Sequence, residues 1–228
     1  MGSDLPIVDL GAGWTIIEVA AGSFHTCARL QSEATLAVKC WGQNNWGQLG
    51  LGDANNRGDV VGEMGNSLPE VDLGTGRSAL ALALGREHSC ALLDDETVKC
   101  WGQNNWGQLG LGHASNRGGG DGHMGDSLPA VDLGAGRVVA RLVAGDHHTC
   151  VLLRDDLRLC VPSPSAGWVP LSGSSAPGGI VYPHFKGDLY GSRGDLLYKP
   201  RISHFLYGVN LYGIRPVPLA SQRVLSSA

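Results

Sequence analysis

Residues 38–52 read VKCWGQNNWGQLGLG, and residues 98–112 read the same fifteen letters 60 positions later. A second block, LPEVDLG at 68–74, returns as LPAVDLG at 128–134, and an earlier version, LPIVDLG, stands at 5–11. Cys40, Cys100 and Cys160 keep the 60-residue step. The first copy is three residues longer, and the excess falls in residues 31–37. A chain written this way folds as equivalent units stacked on one another, because a unit of this size cannot bury its own apolar face.

Each copy holds short extended segments between turn formers, which is a strand pattern. In the second copy, SALALAL at 78–84 is compatible with helix or strand. The first copy decides, because it puts TIIEV at 15–19 in the same place, and the third puts VVARLV at 138–143 there. β-Branched residues favour strand. Residues 88–93, a polar Asp94-Asp95-Glu96 turn and residues 97–101 then form a hairpin. A fourth strand is expected around residues 130–133. The 35 glycines of the 228 residues serve the sharp turns between these strands.

About four strands per copy, repeated, describes the blades of a β-propeller. VKCWGQNNWGQLGLG, together with Gly85-Arg86-Glu87-His88-Ser89-Cys90-Ala91-Leu92, resembles the RCC1 (regulator of chromosome condensation) repeat. The resemblance covers about residues 4–160. It implies an all-β fold, a partial RCC1-like propeller of about three four-stranded blades from a ring that normally has seven.

Past Cys160 the pattern stops. The expected Trp-Gly-Gln-Asn is replaced by Val161-Pro162-Ser163-Pro164. All five tyrosines and eight of the eleven prolines follow this point, and all six cysteines precede or reach it. Residues 1–160 carry eleven basic and nineteen acidic side chains, and residues 161–228 carry six and two. The reading is therefore 1–160 as repeats and 161–228 as an irregular tail, with 162–179 a linker. Three copies do not close a seven-fold ring. The sequence reads as a fragment or a misread gene, with assembly of several chains as the alternative.

The cysteines fall in repeat-phased pairs, Cys27/Cys40, Cys90/Cys100 and Cys150/Cys160. A hairpin centred on Asp95 sets Cys90 opposite Cys100, and one centred on Asp155 sets Cys150 opposite Cys160. The longer first turn needs a bulge or an even-length loop. Directly opposed cysteines can form a cross-strand disulfide, or they can pack as small buried thiols. Both readings stay open. Disulfides would imply an oxidising compartment. Residues 1–10 lack the basic start and apolar run of a secretory signal. The default is intracellular, and extracellular if the pairs are oxidised. Zinc held by His88, Cys90 and Cys100 is a weaker reading, because the short Cys-x₂₋₄-Cys knuckle is missing.

His25, His88 and His148 recur once per copy, as do Trp41 with Trp101 and Trp46 with Trp106 in two copies. An active site is needed once, so residues repeated in every unit read as structural. Each histidine is expected to bond backbone within its blade, and the tryptophans to fill space between blades. Some family members use clustered tryptophans to absorb light, but their Gly-Trp-Arg-His-Thr motif is missing. Residues 53–58 open like a calcium loop, yet Arg57 and Met64 stand where oxygen ligands belong and His113 replaces Asp53 in the next copy. The Arg-Gly-Asp tripeptides at 57–59 and 193–195 have no counterpart in the repeat.

No phosphate loop, nucleophile elbow or HExxH helix occurs, so no catalytic residue, cofactor or metal is assigned. A net charge of −4 gives no footprint for nucleic acid, and no run of about 18 apolar residues exists to span a membrane as a helix. The expected function is a protein-interaction scaffold, binding through loops 53–67 and 113–127, which differ most between copies. The resemblance implies an alternative, guanine-nucleotide exchange on a small GTPase. A further alternative is an extracellular, disulfide-stapled binding protein. A ligase domain after the repeats would need a catalytic cysteine, and residues 161–228 have none.

Overall fold

A computed structural model describes residues 7–161 and the backbone of residues 169–170. The rest of the expected tail, including most of the expected linker, lies outside the described residues. The chain forms three antiparallel sheets and no α-helix among the described residues.

The first sheet is β1 (Thr15–Ala21), β2 (His25–Gln31) and β3 (Leu36–Gly42). The second is β4 (Ala79–Leu84), β5 (His88–Leu93) and β6 (Val98–Gly102). The third is β7 (Val139–Ala144), β8 (Thr149–Leu153) and β9 (Arg158–Cys160), joined at its outer edge by β10 (Val169–Pro170). These are three blades of an RCC1-like β-propeller. β10 pairs with β9 inside the segment read as linker, so the third sheet reaches past residue 160.

The expected fourth strand is reduced in the first two blades to one ladder bond each. Val71 N donates to Val38 O at 2.8 Å, and Val131 N to Val98 O at 2.7 Å. Two local features stop it there. Pro69 and Pro129 lack the N–H that a longer ladder needs. Asp72 and Asp132 then accept from Gly74 N and Gly134 N, each at 2.9 Å, closing a turn.

The hairpin registers follow the residue arithmetic. Cys27 faces Cys40, Cys90 faces Cys100 and Cys150 faces Cys160. The longer first turn keeps its register without a bulge: Gln31 pairs with Leu36, and Ser32 N closes on Thr35 O at 2.9 Å. A bulge does occur elsewhere, once per blade, at Ile17, Leu80 and Ala140 on the first strand. The unpaired extra residue bends that strand.

The core lies between blades. One apolar cluster joins Cys27, Val38, Cys40 and Leu49 of the first blade to Leu82, Leu93 and Trp101 of the second. The next joins Cys90, Val98, Cys100 and Leu109 of the second to Val139, Leu142 and Leu153 of the third. The middle blade is covered on both faces, so all six residues of β5 are buried. In the first blade, Ile16 and Val19 are over half exposed, although the matching Ala79 and Leu82 are buried.

Candidate functional site

The turns β1–β2, β4–β5 and β7–β8 lie at the same end of the blades as the starts of the long loops. Gln43 N donates to Phe24 O and Gln103 N to Glu87 O, each at 2.9 Å. This loop end is built on two repeated devices and one exposed strip.

The first device is a relay between blades. His25 Nε2 lies 2.8 Å from Ser89 Oγ, and Ser89 Oγ donates to Gln48 O at 2.8 Å. His88 Nε2 lies 3.0 Å from Thr149 Oγ1, which donates to Gln108 O at 2.8 Å. A hydroxyl has one proton, and here the backbone carbonyl takes it. The histidine therefore donates from Nε2–H, and Nδ1 carries the lone pair. That Nδ1 is buried without a partner in His25 and His88. A proton there would meet no acceptor. Burial pulls the pKa of His25 down to about 4 and that of His88 to about 3, the latter helped by neighbouring histidines. The expectation of a backbone bond within the blade is thus corrected. These two rings bond the next blade's hydroxyl, which sits one residue after that blade's own histidine. Each ring also packs on the glycine three residues before it, and a Cβ on Gly85 would collide with His88.

The second device shapes the WGQNNWGQLGLG loop. Asn44 is fully buried; its Nδ2 donates to Asp53 O at 2.8 Å and its Oδ1 accepts from Leu49 N at 2.9 Å. Gln48 Oε1 accepts from Trp46 N at 2.9 Å. Asn104 and Gln108 repeat this pattern. Gly52 N of the first loop donates to Gly118 O of the second at 2.9 Å, and Gly47 lies so close to Gly118 and Gly119 that no side chain fits at 47.

Two buried lysines went unnoticed in the sequence. Lys39 Nζ donates to Leu10 O and Gly65 O at 2.8 and 3.1 Å, and Lys99 Nζ to Leu73 O and Gly125 O at 2.9 and 2.8 Å. Each pins the LP-x-VDLG block to the loop ahead of the next block. Their recurrence inside VKCWG was the available signal. The third copy has Leu159 there instead.

The four tryptophans divide. Trp101 is fully buried, and its Nε1 donates to Gln48 O at 3.1 Å. Trp41 and Trp46 are partly buried. Trp106 is 60% exposed, so the core reading does not hold for it. The Trp-Gly-Gln-Asn motif does not recur after Cys160. The loop bearing Trp46 is covered by the second copy's glycines, whereas no described third-copy loop covers Trp106. Its ring stands 6.1 Å from the His147 ring. On the same end Arg86 lies over the Phe24 ring at 5.5 Å, and Phe24 is itself exposed. Loop 53–67 adds Val60 and Val61, both exposed, beside an open cleft of about 560 Å³ lined by Asn45, Asn56, Arg57 and Glu63.

The cysteine sulfurs of all three pairs stand within bonding distance, with Cα atoms 4.1 Å apart. His88 is engaged with Thr149, so the zinc reading loses its ligand set. No group of three His, Cys, Asp or Glu able to hold a metal occurs among the described residues. In the first Arg-Gly-Asp tripeptide the Arg57 guanidinium is tied to Asp53 at 2.6 Å and to the Asn55 and Asn56 carbonyls. The second tripeptide lies outside the described residues. No described helix is long and apolar enough to cross a membrane.

Two family models, both described as the regulator of chromosome condensation (RCC1) repeat, match the chain. One covers residues 16–48 and 80–108, the other residues 38–92. The human protein described as probable E3 ubiquitin-protein ligase HERC4 is 29% identical over 140 residues, covering 61% of this chain and 12% of that protein. The ultraviolet-B receptor UVR8 of Arabidopsis thaliana is 33% identical over 114 residues, covering 50% of this chain and 23% of the receptor. The chain therefore spans a minor part of these relatives. Among solved structures, human WBSCR16 superposes with a TM-score of 0.51 at 18% identity, over 70% of this chain and 40% of that one. Yeast Prp20p, whose structure is titled for its binding to Gsp1p and histones, gives 0.48 at 16%, over 68% of this chain and 37% of that one.

Proposed function

With residues 16–108 matching the RCC1 repeat, we propose that this chain is a protein-binding scaffold whose contact surface is the loop end of its blades. One observation carries the reading. Of the residues shared between copies, Lys39, Asn44, Gln48, His88 and Trp101 are buried in the frame and Trp106 stands open, while residues at equivalent turn positions differ and reach solvent. The turns read Ser23-Phe24, Arg86-Glu87 and Asp146-His147. Around them Phe24, Trp106, Val60 and Val61 are exposed. Exposed aromatics beside an arginine are the side chains that dominate protein interfaces. The reading assigns binding to the chain and no chemistry of its own.

The test is affinity capture from the native source with the full chain and with a Phe24→Ala/Trp106→Ala double variant, followed by direct titration of each captured protein. At least one partner should bind the wild type and lose tenfold or more in the variant, with the melting temperature unchanged. Equal binding by both proteins would contradict the loop-end assignment. A small GTPase added to the panel, scored by release of labelled GDP, separates scaffold from exchange factor. Accelerated release would replace the scaffold reading with the exchange reading.

A further inference from the structure

The three cysteine pairs occupy one position in three blades, but their surroundings are graded. Cys27 and Cys40 are sealed by the second blade, and Cys90 and Cys100 by the third; all four are 0% exposed. Cys150 and Cys160 lie on the third blade's outward face, where no described blade follows. Cys160 is 7% exposed and Cys150 more so, in the partly buried class.

That face also differs in charge. Residues two apart on a strand share a face. Arg158 therefore stands on the same face of β9 as Cys160, and both residues are aligned with Leu152 and Cys150 of β8. On β7, Val143 pairs with Cys150 and Arg141 with Leu152. Arg141 and Arg158 are both exposed. The positions equivalent to Arg158 hold Val38 and Val98, and those equivalent to Arg141 hold Glu18 and Ala81. Only the third pair has two cations beside it, each two residue positions, about 7 Å, along the strands.

We propose that the Cys150–Cys160 bridge is a thiol–disulfide exchange site that takes a dithiol reductant as its substrate, while the other two bridges are inert in the folded protein. A thiolate of the reductant attacks Cys150 Sγ, the more accessible sulfur. The Cys150–Cys160 bond breaks, its electron pair leaves on Cys160 as a thiolate, and a mixed disulfide forms on Cys150. Arg158 stabilises the departing thiolate, and the two arginines draw in the incoming one. The reductant's second thiol then attacks its own sulfur in the mixed disulfide. Cys150 is released, the reductant becomes a cyclic disulfide, and both protein sulfurs pick up the protons lost by the two thiols. Two electrons pass from reductant to protein. Exchange at the buried pairs requires the blades to separate first.

The full chain, oxidised in air, is exposed to dithiothreitol at neutral pH without denaturant, quenched in acid at intervals, alkylated and mapped by mass. Cys150 and Cys160 should become labelled at least tenfold faster than the other four. Arg158→Ala and Arg141→Ala, both at exposed sites, should slow that step several-fold without moving the melting temperature, and Arg158→Lys should recover part of the rate. Added salt should slow the wild type and leave the double arginine variant nearly unaffected. A common rate for all three bridges, or free Cys150 and Cys160 after air oxidation, would overturn the proposal. An unchanged rate in both arginine variants would overturn the role given to the arginines.

Discussion

Glu96 and Asp156 close the hairpin turns of the second and third blades with φ of 67° and 63°. Both are left-handed positions that an L side chain occupies at a cost of about 1–2 kcal/mol relative to glycine's free access. The bond from Glu96 N to Leu93 O is made by backbone and survives any substitution there except proline. The Glu96 pair with Arg154, at 3.4 Å between two exposed side chains, offsets little of that cost. Glu96→Gly should therefore stabilise the protein by about 0.5–1 kcal/mol after glycine's larger unfolded-state entropy is counted, read as a higher urea midpoint at unchanged slope. A lower midpoint would show that the side chain does something the turn geometry does not reveal. The Asp94-Asp95-Glu96 turn was legible in the sequence because polar residues interrupt two apolar runs. Its left-handed residue was not, because neither position holds glycine or asparagine.

Strands were legible where β-branched residues broke the helix–strand tie, and two hairpin registers followed from turns centred on Asp95 and Asp155. The first, with its longer turn, stayed open between a bulge and an even-length loop. What escaped was the bonding between elements. The sequence repeats a histidine followed by Ser or Thr, but nothing in it says that the ring of one blade bonds the hydroxyl of the next. That depends on blade stacking, as do the bulges at Ile17, Leu80 and Ala140 and the shortening of the fourth strand by proline and an aspartate turn. The relay makes a prediction about pH. His25 and His88 are neutral in the fold, with pKa values near 4 and 3, while the unfolded chain takes up protons near 6.5. Between these values the unfolded state binds more protons, so stability rises with pH. It is complete above about 6.5 and falls as the pH drops towards the folded values, by about 1.4 kcal/mol per pH unit for each histidine. Carboxylate titration lies mainly below pH 5, so unfolding at pH 7.5 and pH 5 isolates the histidines. The expected loss is about 2 kcal/mol for each of the two, and a flat profile would contradict the neutral, buried rings.

At the scale of the whole molecule, one sequence block does two jobs. VKCWGQNNWGQLGLG places Trp101 against the first blade, Trp41 beside Ala28 and Leu30 of its own blade, and Trp46 or Trp106 on the loop. Whether each is frame or surface depends on what the neighbouring copy supplies. Trp101 is sealed by the first blade and anchored on Gln48 O. No described third-copy loop lies over Trp106, which stands open at the proposed contact surface. This is why the repeat announced the propeller blades so plainly yet led to a core reading of Trp106: identical letters do not say what packs over each copy. The division between frame and surface is tested most directly by urea unfolding of Trp101→Ala and Trp106→Ala side by side. Trp101→Ala should lose about 3–5 kcal/mol through its cavity and the lost bond, and Trp106→Ala should stay within about 0.5 kcal/mol of the wild type. Comparable losses in the two variants would contradict it.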